Sequence, residues 1–239
     1  MDNNIAIIGS SGAIGSALID QLIVSKPKAI IHAFSRNPLS YAHQRIIPRS
    51  IVYDNEQSIA NAASAAAENA PLDGVLVATG ILHHGEITPE KSLRDLSAEK
   101  FQHLFAINTI LPALIAKYFI PKLAKDKRTV FAALSARIGS ISDNHLGGWY
   151  AYRASKAALN MVIKNAAIET ARSNQTAIIV GLHPGTVDSQ LSKPFQSNVP
   201  EGKLFTPAYS AEKLLSVIKN LSEQDSGKCF TWDGQEIQP

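Results

Sequence analysis

The chain has 239 residues, 45% of them hydrophobic and 18% charged, with a formal net charge of +3. That length suits one domain of the larger α/β kind with a substantial core, and a small, scattered charge without any basic run argues against a nucleic-acid partner. The single cysteine, Cys229, excludes an internal disulfide and a cysteine-built metal site and fits a reducing compartment, so a cytoplasmic location is expected. No apolar stretch reads as approaching the ~18 residues of a membrane helix, and "MDNNIAIIGS" lacks the basic start and the length of a signal peptide.

The first strand is expected over 5–9 (IAIIG), running directly into "GSSGAIGSAL" and a helix over 14–24. Gly9, Gly12 and Gly15 recur every third residue. Glycines there let a backbone turn tightly and approach a pyrophosphate, and the helix N-terminus supplies N–H donors and partial positive charge. A glycine trio also marks ordinary βα turns; its place in the first such turn favours a dinucleotide site. Ser10 and Ser11 suit either a phosphate contact or a helix cap.

The second strand, 29–35, ends in "HAFSRNP". An NAD site usually ends that strand with Asp or Glu, but no acidic residue stands between Asp20 and Asp54, and Ser35 and Arg36 take the place. A guanidinium there suits a 2′-phosphate and so NADP(H) rather than NAD(H); the alternative is a solvated arginine after a strand. Further strands are expected at 50–54, 74–79, 129–134, 177–183 and 228–232, with helices over 56–67, 98–120, 151–172 and 210–221. The strand candidates are mostly continuous apolar runs, the pattern of a parallel sheet buried on both faces. About seven strands alternating with helices predict a single doubly wound Rossmann-type domain over 1–239. The long loops 80–97 and 184–209 follow strands, on the edge where open α/β sheets bind ligands.

The stretch "YAYRASKAAL" (150–159) leads into the helix over 151–172. Tyr152 and Lys156, one turn apart, lie on the same helical face. An ammonium beside a phenol lowers a pKa that is ordinarily ~10, and a tyrosine so tuned can protonate a carbonyl oxygen. Tyr-x-x-x-Lys is common by chance, and a surface pair is the plain alternative. No His/Cys/Asp cluster has ligand spacing, so no metal is expected.

Taken together, the glycine turn, Asp54, Asn108 in "FAINTILP", Ser135, Tyr152, Lys156 and "HPGTVDS" (183–189) resemble the short-chain dehydrogenase/reductase family over essentially the whole chain. "LSARIGSISDNHLGGWYAYRASKAALN" and "LHPGTVDSQLSKPF" are similar to its C-factor-like and sniffer-like carbonyl-reductase group. The resemblance implies an NADP(H)-dependent carbonyl–alcohol oxidoreductase with Tyr152, Lys156, Ser135 and Asn108 as its catalytic residues. It implies a cofactor site of Gly9, Ser11, Gly12, Ile14, Gly15, Ser35, Arg36, Asp54, Ala78, Gly80, Tyr152, Lys156, Pro184, Gly185 and Val187, with Thr186 nearby. Asp54 would touch adenine, and Asn108 would hold a water that passes protons to Lys156. Asn108 equally suits a local role satisfying backbone groups, and Asp54 a turn. By the same resemblance, a homodimer or homotetramer is expected through helices 98–120 and 151–172.

Two departures qualify that pattern. The family's Asn-rich segment after the fourth strand is "VATG" (77–80) here, and the substrate-orienting serine's place, three before Gly139, is Ala136. Ser135 is the expected substitute, with Ser140 and Ser142 behind it. His83 and His84 follow Gly80 as loop histidines or substrate neighbours, and Tyr150 is expected to pack. A non-catalytic nucleotide-binding signalling protein on the same fold is the second reading, because fold does not settle function.

Overall fold

The computed structural model describes residues 3–85 and 87–239. Its strands are β1 (Asn4–Ile8), β2 (Ile30–Ser35), β3 (Ile46–Ser50), β4 (Gly74–Val77), β5 (Thr129–Leu134), β6 (Ala177–His183), β7 (Thr186–Val187), β8 (Leu204–Phe205) and β9 (Cys229–Thr231). The helices are α1 (Ala13–Ser25), α2 (Glu56–Ala66), α3 (Ala98–Phe105), α4 (Leu111–Phe119), α5 (Tyr150–Thr170) and α6 (Pro207–Asn220). Seven strands form one parallel sheet in the order β3-β2-β1-β4-β5-β6-β9. This is the expected doubly wound fold, with the order reversing between β1 and β4.

Apolar residues point both ways from the central strands, as their unbroken hydrophobic runs require. On one face Ala6, Ile8, Val75, Phe131, Ala133 and Ile179 pack under α2, α4 and α5. On the other, Ile5, Ile7, Val130, Ala132, Ile178 and Val180 pack under α1 and α6. Two arginines close the ends of that second pair of helices. Arg45 donates to the carbonyls of Ile23, Lys26 and Ala29 at the end of α1, and Arg128 to those of Ile218 and Leu221 at the end of α6.

The third strand corrects the expectation of 50–54. It occupies Ile46–Ser50, and "VYD" falls in the turn beyond it. β3 is one of the sheet's two edge strands and only half-buried. An edge tolerates Pro48, which cannot donate to a ladder, and a polar Arg49, so the apolar run that marks interior strands is missing here. The helix expected over 98–120 is present, but α3 and α4 join through a π turn, Ala106–Ile110. The continuous helix Ala98–Lys122 is long and apolar enough to cross a membrane, which corrects the reading that no such stretch exists. In the fold its apolar side, including Leu104, Leu111, Ile115 and Phe119, is buried. The short parallel pair β7–β8 inside loop 184–209 was not expected.

Candidate active site

The carboxyl ends of β1 and β4 meet where the strand order reverses. Gly9 has φ +87°, and a Cβ there would stand 2.9 Å from the carbonyl carbon and oxygen of Ala78. The turns after β1 and β4 are pressed together in a way only glycine allows. A Cβ on Gly15 would stand 2.1 Å from the carbonyl oxygen of Gly9, so α1 starts hard against the end of β1. Gly12 is the N-cap of α1 and has no side chain to satisfy the helix's first N–H groups; the first turn carries no acid. Those donors, with Ser11 exposed and Ile14 half-buried beside them, form a cradle for an anion. The Thr79 hydroxyl, buried beside Gly9, has no hydrogen-bond partner among the described residues. Together the tight glycine cradle and an orphaned buried hydroxyl fit a bound dinucleotide.

At the end of β2, Ser35 is buried and donates its hydroxyl to the carbonyl of Asn37 at 2.8 Å. Arg36 is exposed, its guanidinium carbon 5.7 Å from the centre of the Tyr53 ring. Asp54 is exposed in the turn before α2.

Lys156 is 3% exposed, and its Nζ donates to the Leu134 carbonyl at the end of β5, at 2.8 Å. It stands 6.0 Å from the centre of the half-buried Tyr152 ring. The pair is together as expected, but the expected tuning runs the other way. Burial pushes the Tyr152 phenol up to about 12, with no hydrogen bond or charge among the described residues offsetting it, and pushes the Lys156 ammonium down to about 8. At this separation loss of hydration outweighs the attraction between phenolate and ammonium. The phenol is therefore firmly protonated at neutral pH, the state a proton donor needs.

Asn108 sits in the π turn, fully buried. Its Nδ2 donates to the Ile81 carbonyl (2.9 Å) and to Ser155 Oγ (3.1 Å), and its Oδ1 accepts from the Ile81 amide (2.9 Å). It braces the Gly80–Ile81 loop, and one lone pair of Oδ1 is left for a water. A Cβ on Gly80 would lie 3.5 Å from both Asn108 Oδ1 and Lys156 Nζ, so the three residues converge. Thr109 Oγ1 donates to the Ser155 carbonyl, fastening the same π turn to the turn of α5 that carries Tyr152 and Lys156.

The serines are engaged. Ser135 is 4% exposed and turns its hydroxyl to Asn160 Oδ1 on α5, at 2.6 Å. Ser140 accepts from the Asp143 amide, and Ser142 donates to the Pro239 carbonyl. Ala136 is buried at the N-cap of the 3-10 turn Arg137–Gly139.

Residues 3–200 match the model of the short chain dehydrogenase family. The chain belongs to that family. It is 28% identical to a 1-hydroxy-2-glutathionyl-2-methyl-3-butene dehydrogenase of Rhodococcus sp., over 91% of this chain and 98% of that one. It is 32% identical to the C-signal protein of Myxococcus xanthus over 61% of this chain and 82% of that one. In fold alone it is similar to the crystal structure of an NADPH-bound carbonyl reductase from chicken fatty liver (TM-score 0.84, 24% identity, 100% and 99% of the two chains). It likewise matches the carbonyl reductase Sniffer of D. melanogaster (TM-score 0.85, 22% identity, both chains fully covered).

On this short-chain dehydrogenase the loop 184–209 folds back over the carboxyl edge. Gly185 has φ +77°, and a Cβ there would strike the Phe205 ring at 2.6 Å. Pro184 accepts from Ser210 Oγ, and Val187, buried, pairs with Phe205. His83 is a tie between loops, with its Nε2 on the Gln190 and Leu191 carbonyls, while His84 stacks on His103. Sequence reasoning missed Ser155, Tyr53, Thr79 and Trp149. Ser155 had a signal, standing directly before Lys156; the others depend on contacts between distant segments.

Proposed function

We propose that this short-chain dehydrogenase is an NADP(H)-dependent oxidoreductase that interconverts a ketone or aldehyde and its alcohol. The observation that carries this reading is the convergence of Tyr152, Lys156 and Asn108 beside Gly80, adjoining the glycine cradle of β1 and α1. NADPH, when bound, supplies hydride to the carbonyl carbon. The protein's task is then to hold the carbonyl and deliver a proton to its oxygen. Tyr152 carries that proton; Lys156 holds the nicotinamide ribose and steadies the phenolate left behind; Asn108 keeps the loop and a relay water in register. Gly9, Ser11, Gly12, Ile14 and Gly15 hold the pyrophosphate, Ser35, Arg36 and Asp54 the adenosine end, and Ala78, Gly80, Pro184, Gly185 and Val187 the nicotinamide end. The similarity to the C-signal protein favours a second reading, nucleotide-binding signalling without turnover. NADPH consumption against a panel of small carbonyls, with NADH in parallel, decides between them: binding without turnover of any carbonyl favours signalling. Exposed Ile110 on the π turn, with Met161 and Ile168 on α5, suits pairing of copies through these helices in a cytoplasmic homo-oligomer.

Arg36 stands where an acid would select NAD. Arg36→Asp is expected to weaken NADPH binding by about 10–150-fold, the equivalent of a charge-assisted contact of ~1.5–3 kcal/mol, with a much smaller effect on NADH. Equal affinity of the native protein for both cofactors would sink the assignment.

Cofactor affinity should also depend on pH through Lys156. The free protein's ammonium titrates at about 8, and ribose hydroxyls accepting from it favour the charged form. Proton and NADPH therefore bind cooperatively, and affinity falls as pH rises through about 8. Titrations from neutral to alkaline pH check this, with Lys156→Met expected to flatten the profile.

Ser135 orients the carbonyl in this reading, exchanging its bond to Asn160 for one to substrate. Ser135→Ala should lower turnover while leaving NADPH affinity intact; the same result from Ser140→Ala instead would move the role to the turn after Gly139.

A further inference from the structure

Tyr152 stands at one end of a chain of aromatic contacts. Its ring meets Trp149 edge-on (centroids 6.2 Å apart), Trp149 meets Phe195 at 5.0 Å, and Phe195 meets His83 at 5.8 Å. All four rings are half-buried, so each keeps uncovered surface. They come from three separate segments, the loop after β4, the start of α5 and the 3-10 turn Lys193–Asn198. His83 donates to the Leu191 carbonyl at 3.1 Å, tying the loop after β4 to the chain just before that 3-10 turn.

The backbone under Trp149 is exceptional. Trp149 has φ +51° and is the one non-glycine residue with positive φ among those described. Gly147 (φ 64°) and Gly148 (φ 65°) precede it in the same left-handed region. Glycine adopts that region freely; a bulky aromatic does not and is retained only where the surroundings over-determine it. Here they do. The Trp149 amide donates to the Glu90 carbonyl at 2.6 Å, and the 2%-exposed Glu90 side chain accepts from the Ala151 amide at 3.3 Å. Arg153 donates to the carbonyls of Gly147 and Gly148. A strained turn clamped from two sides holds this indole beside the proton donor. Another aromatic group, Phe205, Tyr209 and Trp232, packs without positive φ at any of its members.

We infer that Trp149 is the specificity-determining residue of this site, and that its uncovered surface, backed by Phe195 in direct contact, is the aromatic wall of a slot for a flat aromatic substituent on the carbonyl carbon. The inference rests on the reductase reading for the identity of the reacting group, but the slot itself is a matter of binding. A carbonyl whose oxygen meets the Tyr152 hydroxyl carries its substituent against these rings. Tilted and edge-on pairs are the geometry that aromatic rings prefer, whereas a puckered aliphatic ring of the same size gains only contact area.

Benzaldehyde and cyclohexanecarbaldehyde share size and reacting group and differ in flatness, so they isolate the slot. Calorimetric titration into NADPH-loaded Tyr152→Phe protein reads binding without turnover. Benzaldehyde should bind roughly tenfold tighter, about one favourable aromatic contact of up to ~1.5 kcal/mol. Adding Trp149→Leu should remove the preference, and Trp149→Phe should restore most of it, with NADPH affinity constant across the set as the check on folding. Equal binding of the two aldehydes, no binding of either, or a preference that survives Trp149→Leu would overturn the slot. If the preference holds but the native protein oxidises NADPH with neither aldehyde nor any other carbonyl, the slot stands and the reductase reading falls.

Discussion

Tyr152→Phe is expected to lower turnover by about 10²–10⁴-fold while NADPH binds nearly as before, the loss typical of a removed general acid. The substitution keeps the ring and its contacts with Trp149 and Lys156 and removes only the hydroxyl. That hydroxyl titrates at about 12 under burial alone, and no hydrogen bond among the described residues depends on it. Stability should change little, so a fall in rate reports on chemistry. The sign with pH follows from the same burial. Tyr152 keeps its proton in the folded protein where the unfolded chain, at ~10, loses it, so its contribution to stability is present below pH ~10 and is lost as pH rises toward about 12. Lys156 acts oppositely: its folded value of about 8 lies below the ordinary value of 10.5, so its burial disfavours the fold while the ammonium is charged, and that penalty is relieved as pH rises from 8 to 10.5. Lys156→Ala should harm turnover and cofactor affinity together, unlike Tyr152→Phe. A Tyr152→Phe protein reducing carbonyls at the native rate would refute the assigned proton donor.

Gly15→Ala should be the most damaging single methyl in the cofactor cradle. The added Cβ would stand 2.1 Å from the Gly9 carbonyl oxygen and 2.9 Å from its carbon. Neither is the end of a flexible side chain, so α1 must withdraw from β1. That carbonyl also accepts from the Gly12 amide at 3.0 Å, so the turn between them is lost with it. Overpacking of this kind costs about 1–3 kcal/mol. Because the displaced groups are the donors of the cradle, NADPH affinity should fall by roughly tenfold or more, tenfold being 1.4 kcal/mol. Gly12→Ala is the control: its Cβ would lie 3.3 Å from the same oxygen, and its φ of −77° suits any residue. It should cost a few-fold at most. Thermal melts with cofactor titrations check both: a Gly15→Ala protein that melts lower yet keeps native affinity would show that the cradle is not where NADPH binds, and one with native melting would show that α1 absorbs the methyl without withdrawing.

The architecture was written in local patterns. Runs such as IAIIG, AIIHAFS and AIIVGLH are mostly apolar, with no alternation, because the strands they form, β1, β2 and β6, are covered on both faces. Gly9, Gly12 and Gly15 marked the βα turn, and at Gly9 and Gly15 no other residue allows so close an approach of the chain. Tyr152 and Lys156 shared a helical face by spacing alone. The strand at Ile46–Ser50 escaped because an edge strand needs neither an apolar run nor every N–H, and Pro48 and Arg49 hid it. What only the tertiary structure decided are relations between segments far apart in the chain. Asn108 braces Ile81 because a π turn aims it there; Ser135 faces Asn160; burial sets the directions in which Tyr152 and Lys156 shift. Trp149 is held in a left-handed turn by Glu90, a residue of another loop. Propensity and periodicity describe a residue and its near neighbours, whereas hydration, strain and hydrogen-bond partners at a site depend on which distant elements the fold brings against it.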